Sequence, residues 1–473
     1  MNISFEKLNQ NILLMINNGQ VDEAEVMIRQ YKNYCQVEEI FNYDLYFLEF
    51  MCLTDTNLLA ELEIEFCKNG EKWLYDIEFC RKILKISYRK NLKFLFLKAY
   101  VALEILDSNV DLSEYNSFVS QEYGSKTENY KVFQGPINIA NQLSVMTSAL
   151  KRRGIDARSF SLETPNYLNY KIDEYVDFSK YANQEEQVGN VVNWISNIIN
   201  EYDIFHFHFG LSLMVTFQDL KLIKKFGKKT VMSHWGSDVR KFELAKKISP
   251  FATTKQDSVS IHTNMNSIKP YIDVCMVCDM ELFYYTKEYY KNIEIVPIAY
   301  DFTTSSDIKL ENKTNEKFRI VHAPTSREFK GTFFIEKAIK NLLEKNYNIE
   351  YVLVEGVSNE EALKIYETAD VVIDQLRAGQ YGFLAIECMV RNIPVIAYVS
   401  EYMSQYHDID LPVINANIED VESVLEDCIN NIEKTKLKGK SGYEYVRKHH
   451  DIDKIVENIM CVYEKLLGDE YEK

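Results

Sequence analysis

Polar residues that can bind anions or transfer protons stand directly after several apolar segments of this sequence. They are His206 and His208 in HFHFG, His234 and Asp238 in HWGSDVR, Arg327 and Lys330 in HAPTSREFKG, and Glu387 in GQYGFLAIECMVRNIPVIA. An Arg side chain can hold two phosphate oxygens at once, whereas Lys supplies a point charge. Because ligands bind at the carboxyl ends of strands in open α/β sheets, these residues are candidates for a ligand site.

Other common catalytic and metal-binding motifs are absent from the sequence or incomplete. No G-x-G-x-x-G and no H-E-x-x-H occurs, and the GKS at Gly439–Ser441 lacks the upstream glycine of a phosphate-binding P-loop. Cys275 and Cys278 form a C-x-x-C pair without two further ligands nearby, so we interpret them as strand cysteines. Two Asp-x-Asp pairs, at 408–410 and 451–453, do not close apolar strands. The sequence therefore predicts no metal site and no bound cofactor.

From Tyr130 onward, apolar strand patterns alternate with helical patterns, which predicts parallel, doubly wound α/β sheets. The polar stretch Asp301–Lys317 is the best linker in the chain. It divides the pattern into two Rossmann-like domains, 130–300 and 316–455, which we expect to face a common cleft. Segment 456–473 is predicted to be a C-terminal helix that packs back on the first of these domains. The strand candidates of the first domain are KVFQGP, IDARSFSL, EYDIFHFHFG, KKTVMSHWG, SVSIHTN, VCMVC and IEIVPIAYD.

Residues 1–125 form a series of helical patterns and contain no proline; all eight prolines lie at or beyond Pro136. This region is predicted to be an all-α domain of helical hairpins. Its position and character suggest acceptor or partner recognition, or oligomerisation, as its role. The basic run Arg81–Lys98 leaves two interpretations open. One is a surface for an anionic lipid or acidic partner, and the other is a solvated face of two helices.

The charge and hydropathy of the chain exclude several classes of function. A net charge of −17 argues against a general nucleic-acid binder, which would have a basic excess. No apolar run approaches the roughly 20 residues of a membrane span. The first residues lack the basic leader and long apolar stretch of a signal peptide. The nine scattered cysteines are then most simply reduced thiols, so we expect a cytoplasmic protein, with peripheral contact at the inner membrane face as an alternative.

One segment of 29 residues resembles a known family without a gap. The segment ADVVIDQLRAGQYGFLAIECMVRNIPVIA, Ala369–Ala397, is similar to the pattern A-D-v-f-v-x-P-S-x-x-E-G-F-G-L-x-x-x-E-A-M-A-x-G-x-P-V-I-A of family 4 retaining glycosyltransferases. Weaker matches are the loop and helix GPINIANQLSVMTSALKRRGIDA, the strand ending at His234, and the R-x-x-K-G of Arg327–Gly331. The resemblance covers roughly residues 133–467 and implies the GT-B fold, with the helical front as an added domain.

The resemblance also implies roles for individual residues. Arg327 and Lys330 match the pair that binds the donor diphosphate, and His234 matches the histidine near the transferred sugar, so these are the expected catalytic residues. Gly382 matches the glycine whose backbone approaches the phosphates, and Glu387 matches the glutamate that accepts hydrogen bonds from ribose hydroxyls. The other implied positions are Phe383, Gly379 and Gln380 for the donor, and Gly135, Asn138, His208 and Asp238 for the acceptor or the phosphate loop.

From the resemblance we expect a retaining, metal-independent hexosyltransferase with a nucleotide-diphosphate sugar, preferably a UDP-sugar, as donor. The expected acceptor is a glycan, a lipid-linked molecule or a protein, in bacterial surface glycan or glycoprotein synthesis. The first glutamate of the family's Glu-x7-Glu motif falls on Gly379, which has no carboxylate, and Gln380 or Asp374 are candidates to replace it. This departure leaves two alternatives: a catalytically degenerate GT-B binding or scaffold protein, and a nucleotide-sugar epimerase.

Overall fold

The computed structural model divides the chain into two compact units, called here the helical unit and the sheet unit. The helical unit comprises Met1–Gly124, Asp177–Glu201 and Lys225–Gly227, and the sheet unit comprises Ser125–Val176, Tyr202–Lys224 and Lys228–Lys473. The structure describes residues 5–37, 42–68, 72–107, 109–162, 170–181, 183–304, 316–408 and 411–468. The domain boundaries expected from the sequence stay predictions.

The first part of the chain contains thirteen α-helices and seven strands among the described residues. The helices are α1 (Phe5–Asn17), α2 (Val21–Val37), α3 (Tyr43–Cys52), α4 (Thr56–Lys68), α5 (Ile77–Lys90), α6 (Lys93–Leu106), α7 (Asn116–Tyr123), α8 (Gln142–Arg152), α9 (Gln184–Glu201), α10 (Gln218–Lys225), α11 (Phe242–Ile248), α12 (Ser258–Ile268) and α13 (Met280–Thr286). The strands are β1 (Lys131–Gly135), β2 (Asp156–Ser161), β3 (Glu174–Tyr175), β4 (Ile204–His208), β5 (Lys229–His234), β6 (Val274–Val277) and β7 (Ile293–Ile295).

The helical unit consists of α1–α7 and α9, with 3-10 turns at Lys72–Tyr75 and Ser113–Tyr115. Local chemistry sets the helix ends: Asp76 accepts a hydrogen bond from the N–H of Phe79 where α5 begins, and Asn91 takes a left-handed φ of 56° where it ends. Helix α9 contacts α6 and the first 3-10 turn, far from it in sequence. The helical unit therefore includes a helix from the middle of the chain. No helix in the described part of the chain is long and apolar enough to cross a membrane.

The first sheet has seven parallel strands in the order β3-β2-β1-β4-β5-β6-β7. All residues of β4 and β6 are buried, as expected for central strands of a parallel sheet covered on both faces. The strand predicted for SVSIHTN is wrong, because these residues belong to α12. Its β-branched residues favour a strand, but Ile261, Met265 and Ile268 are buried at helical spacing, and Asp257 caps the helix by accepting from the N–H of Ser260 at 2.8 Å.

The second sheet has five parallel strands in the order β12-β11-β10-β8-β9. Its strands are β8 (Phe318–His322), β9 (Ile349–Leu353), β10 (Val371–Ile373), β11 (Val395–Ala397) and β12 (Val413–Asn415). The helices of this part are α14 (Arg327–Lys330), α15 (Thr332–Glu344), α16 (Asn359–Tyr366), α17 (Phe383–Val390), α18 (Glu401–Ser404), α19 (Val421–Asn430), α20 (Ile432–Lys440), α21 (Gly442–His449) and α22 (Ile452–Leu467). The prediction of two parallel Rossmann-like sheets, preceded along the chain by a helical region, is confirmed.

Two segments of the chain connect the sheets and run side by side. The N–H of Tyr300 donates to the carbonyl of His450 at 2.6 Å, and the N–H of Ile452 donates back to the carbonyl of Tyr300 at 3.1 Å. Helix α22 begins at Ile452 and packs on α8. Its buried face, including Ile459 and Tyr463, joins the apolar core of the first sheet. The last helix of the chain thus completes the core of the sheet that lies far before it in sequence.

Deletion of residues 1–125 is expected to destabilise what remains. Helix α9 would stay in the shortened chain, whereas α6 and the 3-10 turn that it contacts would be lost. Its buried residues Val192, Ile195 and Ile199 would then face water. We expect the truncated protein to bind a hydrophobic fluorescent dye and to unfold at a lower temperature than the full chain.

Gln substitutions at these three apolar positions of α9 provide the control, because they should reduce the dye binding of the truncated protein. A truncated chain that binds no dye and unfolds at the full-length temperature would contradict the assignment of α9 to the helical unit.

Candidate functional site

A cavity of about 550 Å³ opens among the segments that follow the strands of the two sheets. From the first sheet it is lined by residues after β1, β4, β5 and β6, and from the second by residues after β8, β9 and β10. Both sheets therefore present the carboxyl ends of their strands to one cavity, which is where open α/β sheets bind ligands. All of these segments belong to the sheet unit.

Three cations line the cavity, Arg240, Lys255 and Lys330, and the first two lie near the ring of Phe329. The Arg240 guanidinium lies 5.2 Å and the Lys255 Nζ 5.7 Å from the centroid of this ring. Arg240 is buried and forms a two-pronged ion pair with Glu281, with N···O distances of 2.7 and 2.9 Å. Positive side chains from both Rossmann-like halves thus converge on one wall, where an anionic ligand would be stabilised.

Lys330 is held by a carboxylate that also fixes the start of a helix. Its Nζ donates to Asp374, a fully buried residue directly after β10. The other oxygen of Asp374 accepts from the N–H of Gly382 at 2.6 Å. Gly382 precedes α17, so Asp374 joins the Lys330 ammonium to the amino end of that helix. Asp374 itself does not line the cavity, and its role as a replacement for the carboxylate that Gly379 lacks stays a prediction.

A buried carboxylate marks another part of the same wall. Glu387, on α17, lines the cavity and accepts from the amide of Asn359 at 2.9 Å. Burial raises the pKa of Glu387 to about 7, against the lowering effect of the Asn359 hydrogen bond and of the nearby Arg391 charge. The segment after β9, Val354–Val357, lines the same cavity. A carboxylate in a cavity wall can accept hydrogen bonds from the hydroxyl groups of a ligand.

Arg327 does not line the cavity. Its guanidinium is more than half exposed and forms a two-pronged ion pair with Glu355, with an Nε···Oε1 distance of 2.9 Å. Arg327 and Lys330 both belong to the short helix α14, but only Lys330 turns to the cavity wall. Glu355, in contrast, is itself a lining residue. The structure thus separates the two cations that the sequence predicts to act together.

His234 and Asp238 hold the turn that follows β5. Asp238 accepts from His234 Nδ1 at 2.6 Å and from the backbone N–H groups of Trp235 and Gly236 at 3.1 and 2.9 Å. The other nitrogen of His234 lies 2.9 Å from the hydroxyl of Tyr290. Both ring nitrogens of His234 are therefore engaged inside the protein, and neither His234 nor Asp238 lines the cavity. Their contacts position Trp235, which does line it.

His208 is the last residue of β4, and its ring is stacked on that of His206 with centroids 4.6 Å apart. Its Nδ1 accepts from the indole N–H of Trp235 at 3.1 Å, and burial lowers the pKa of His208 to about 3. The two ring nitrogens of His206 form hydrogen bonds with the hydroxyl groups of Tyr463 and Ser233, both at 2.7 Å. Burial also lowers the pKa of His206, so the neutral form of both rings is favoured, and His208 stacks on Trp235 with centroids 5.9 Å apart.

The loop after β1 approaches the cavity at Asn138. The side chain of Asn138 accepts from the N–H of Leu143 at 3.0 Å and donates to Ser144 at 2.9 Å, so it fixes the start of α8. Gly135 faces the ring of Phe160, where an added Cβ would come within 2.4 Å of a ring carbon. Only Asn138 of the two predicted residues lines the cavity. Gly135 instead permits the close packing that places the loop.

Gly379 and Gln380 follow β10 but have different surroundings. Gly379 has a φ of 87°, and an added Cβ would lie 3.1 Å from Ser400 and 3.2 Å from Ser249, so a larger residue would be strained there. Gln380 lines the cavity, together with Phe383 further along the chain. The Gln380 amide donates to Asp279 at 3.5 Å and accepts from His407 at 2.9 Å. Of the two candidates for the missing carboxylate, Gln380 is the one that reaches the cavity.

Several lining residues escaped the sequence analysis: Arg240, Lys255, Asp279, Glu281 and Asn359. Arg240 has a detectable signal, because it closes the segment HWGSDVR directly after an apolar strand. Lys255 has none, since it lies in a polar loop among many lysines. Within the described residues, no group of three His, Cys, Asp or Glu side chains is placed to hold a metal ion.

No family model matches this chain, and no curated protein matches its sequence significantly. Among solved structures, the sucrose-phosphate synthase of Thermosynechococcus elongatus matches with a TM-score of 0.51 and 13% identity, over 71% of this chain and 98% of its own. HepE of Anabaena, solved with UDP-glucose, has a TM-score of 0.49 and 12% identity, over 71% and 99% of the two chains. MnaA of S. aureus, solved with UDP, has a TM-score of 0.45 and 14% identity, over 72% and 97%. At these identities the first likeness shows the fold, which is GT-B.

The raised pKa of Glu387 predicts a pH-dependent effect of Glu387→Gln. The pKa is about 7 in the folded chain against an ordinary value of 4.5, so the folded chain binds this proton more tightly than the unfolded chain does. Folding stability contributed by Glu387 therefore falls as pH rises from about 4.5 to 7. The Gln variant lacks this pH-dependent loss of stability, so its melting temperature relative to wild type should rise between pH 5 and pH 8.

The exposed Glu344→Gln substitution is the control and should show no such trend. Thermal unfolding of the three proteins at several pH values makes the measurement. A constant difference between Glu387→Gln and wild type across this range would exclude a raised pKa for Glu387.

Proposed function

We propose that this protein is a glycosyltransferase that moves a sugar from a nucleoside-diphosphate sugar, preferably a UDP-sugar, to an acceptor. One observation supports this most directly. A single cavity joins a cationic wall at Arg240, Lys255 and Lys330 to a buried carboxylate, Glu387, that is held by Asn359. The two parts match the two polar parts of a nucleoside diphosphate, which are its phosphates and its ribose. The GT-B fold and the resemblance of Ala369–Ala397 agree with this assignment.

The cationic wall supplies the electrostatic help that this reaction needs. When the bond between the sugar and the diphosphate breaks, negative charge develops on the departing phosphate, and fixed positive groups stabilise that charge. Lys330 is positioned for this by Asp374. The first N–H groups of α17 add to the same effect, because a helix has no internal acceptors for them and its amino end favours anions. The proposal therefore assigns charge neutralisation to protein groups rather than to a metal ion.

We propose that the sugar is transferred with retention of configuration, as the resemblance implies. The acceptor hydroxyl attacks the anomeric carbon on the face from which the phosphate leaves. One bond forms between that carbon and the acceptor oxygen, the bond to the phosphate oxygen breaks, and the acceptor proton passes to the departing phosphate. Gln380 lines the cavity at the position next to Gly379 and is the candidate to contact the sugar.

The proposal also concerns the acceptor of the sugar and the place in the cell where the protein acts. The acceptor is a glycan, a lipid-linked molecule or a protein, and the helical unit is proposed to recognise it or to mediate oligomerisation. The protein is proposed to act in the cytoplasm, with contact at the inner membrane face through the basic run Arg81–Lys98 as the alternative. The catalytic roles of His234 and Arg327 stay predictions, because neither side chain lines the cavity.

Lys330→Met is expected to lower the rate of sugar transfer by about 100-fold, since removal of one group that stabilises a developing oxyanion has effects of this size. The assay combines the protein with a panel of nucleotide sugars and measures the released nucleoside diphosphate, with mass spectrometry of the products. Lys340→Met, at an exposed site, is the matched control and should leave the rate unchanged. Equal rates for wild type and Lys330→Met would contradict the role of Lys330.

The same assay separates the proposal from the two alternatives. A binding or scaffold protein is favoured by one observation: Gly379 has no carboxylate, and its positive φ and close serine neighbours disfavour a larger residue. Such a protein would release no diphosphate from any donor, although a nucleotide would raise its melting temperature. An epimerase would convert one nucleotide sugar into another without an acceptor.

A further inference from the structure

The three cations of the cavity wall differ in how their charge is balanced. Arg240 is paired with Glu281, and Lys330 is paired with Asp374. Lys255 has no carboxylate partner anywhere in the described parts of the chain. Its side chain lines the cavity and is exposed to solvent there. Lys255 is thus the cation whose charge is available to a ligand.

The loop that bears Lys255 is fixed, although it lies between helices α11 and α12. The hydroxyl of Ser249 donates to the carbonyl of Arg377 at 2.7 Å, and the Arg377 Nε donates to the carbonyl of Phe251 at 2.8 Å. The Phe251 ring also contacts Tyr398, with centroids 5.4 Å apart. These contacts tie a loop of the first sheet to segments of the second sheet. The start of the loop that bears Lys255 is therefore attached to the second half of the sheet unit at Ser249 and Phe251.

The surroundings of Lys255 disfavour its positive charge in the absence of an anion. Its Nζ and the Arg240 guanidinium approach the same ring, that of Phe329. Partial burial lowers the pKa of Lys255, and the charges of Lys330 and Arg240 lower it further. Lys255 lies near two other positive charges and has no carboxylate partner of its own among the described residues, so a bound anion would offset the repulsion that it experiences. A diphosphate group has the charge and the number of oxygen acceptors to do so.

We infer that Lys255 contacts the diphosphate of the bound nucleotide and takes the place at the phosphates that the sequence assigns to Arg327. The inference rests on the proposed function and extends it. Arg327 is more than half exposed and occupied by Glu355, whereas Lys255 is unpaired and faces the cavity. Lys330 comes from the second sheet and Lys255 from the first, so the diphosphate bridges the two halves of the cleft.

The test compares UDP with uridine, which lacks the phosphates, by calorimetric titration. Lys255→Met should weaken UDP binding by about tenfold or more, the effect of losing a charge-assisted hydrogen bond, and leave uridine binding unchanged. Lys255→Arg should retain most of the UDP affinity, because it keeps the charge. Lys247→Met removes the charge of an exposed lysine of α11 that does not line the cavity, so it should bind like wild type. Arg327→Met should weaken UDP binding less than Lys255→Met.

The outcomes separate this inference from the proposed function. A wild-type protein that binds UDP, with Lys255→Met binding it equally well, would overturn the inference and leave the proposed function standing. An Arg327→Met effect larger than that of Lys255→Met would also overturn it. A wild-type protein that binds none of UDP, GDP and ADP would overturn both. Equal losses of UDP and uridine affinity in Lys255→Met would show disturbed structure rather than a phosphate contact, and would likewise overturn the inference.

Discussion

The buried carboxylate of Asp374 is the constraint on which the centre of the cleft depends. One oxygen holds the Lys330 ammonium and the other holds the N–H of Gly382, so strand β10, helix α14 and helix α17 meet at this group. Loss of one partner from a buried ion pair costs about 3–5 kcal/mol, because the other charge stays without compensation. The position of Lys330 at the cavity and the direction of α17 are therefore not independent. Glu387 lies about one turn after the start of α17, so its position also depends on the contact between Asp374 and Gly382.

The first sheet uses the same device with another carboxylate. Asp238 accepts hydrogen bonds from His234 and from the backbone N–H groups that follow β5, and these bonds hold the turn that contains Trp235. Arg240 then leaves the turn and is neutralised by Glu281. In the second half one buried acid both orders a strand-ending loop and pairs with a cation, whereas in the first half Asp238 orders the loop and Glu281 pairs with the cation. Under the proposed function, groups held in place before a ligand arrives lower the entropic cost of binding.

Much of the fold follows from the sequence, because strand and helix periods are local properties. The segment Ala369–Ala397 placed Gly382 and Glu387 at the cavity for the same reason: their spacing lies within one strand, loop and helix. The choice between Arg327 and Lys255 could not be made in this way. The partner that occupies Arg327 lies 28 residues away, after another strand, and the loop that bears Lys255 is hydrogen-bonded to Arg377, which is far from it in sequence. Strand-like composition similarly concealed α12, whose apolar spacing was the better guide.

The acidity of the whole chain gives these local pairings a further consequence. A chain of net charge −17 repels a nucleotide sugar at long range, since the diphosphate is also an anion. At an ionic strength near 0.1 M that repulsion is screened beyond about 10 Å, so the groups in the cavity decide binding. Two of the three cations there already have carboxylate partners, which limits the positive field that they present. Under the proposed function, the Lys255 ammonium, which has no carboxylate partner among the described residues, supplies attraction at the diphosphate. In that proposal the distribution of paired and unpaired charge, rather than the number of basic residues, decides where an acidic protein binds an anion.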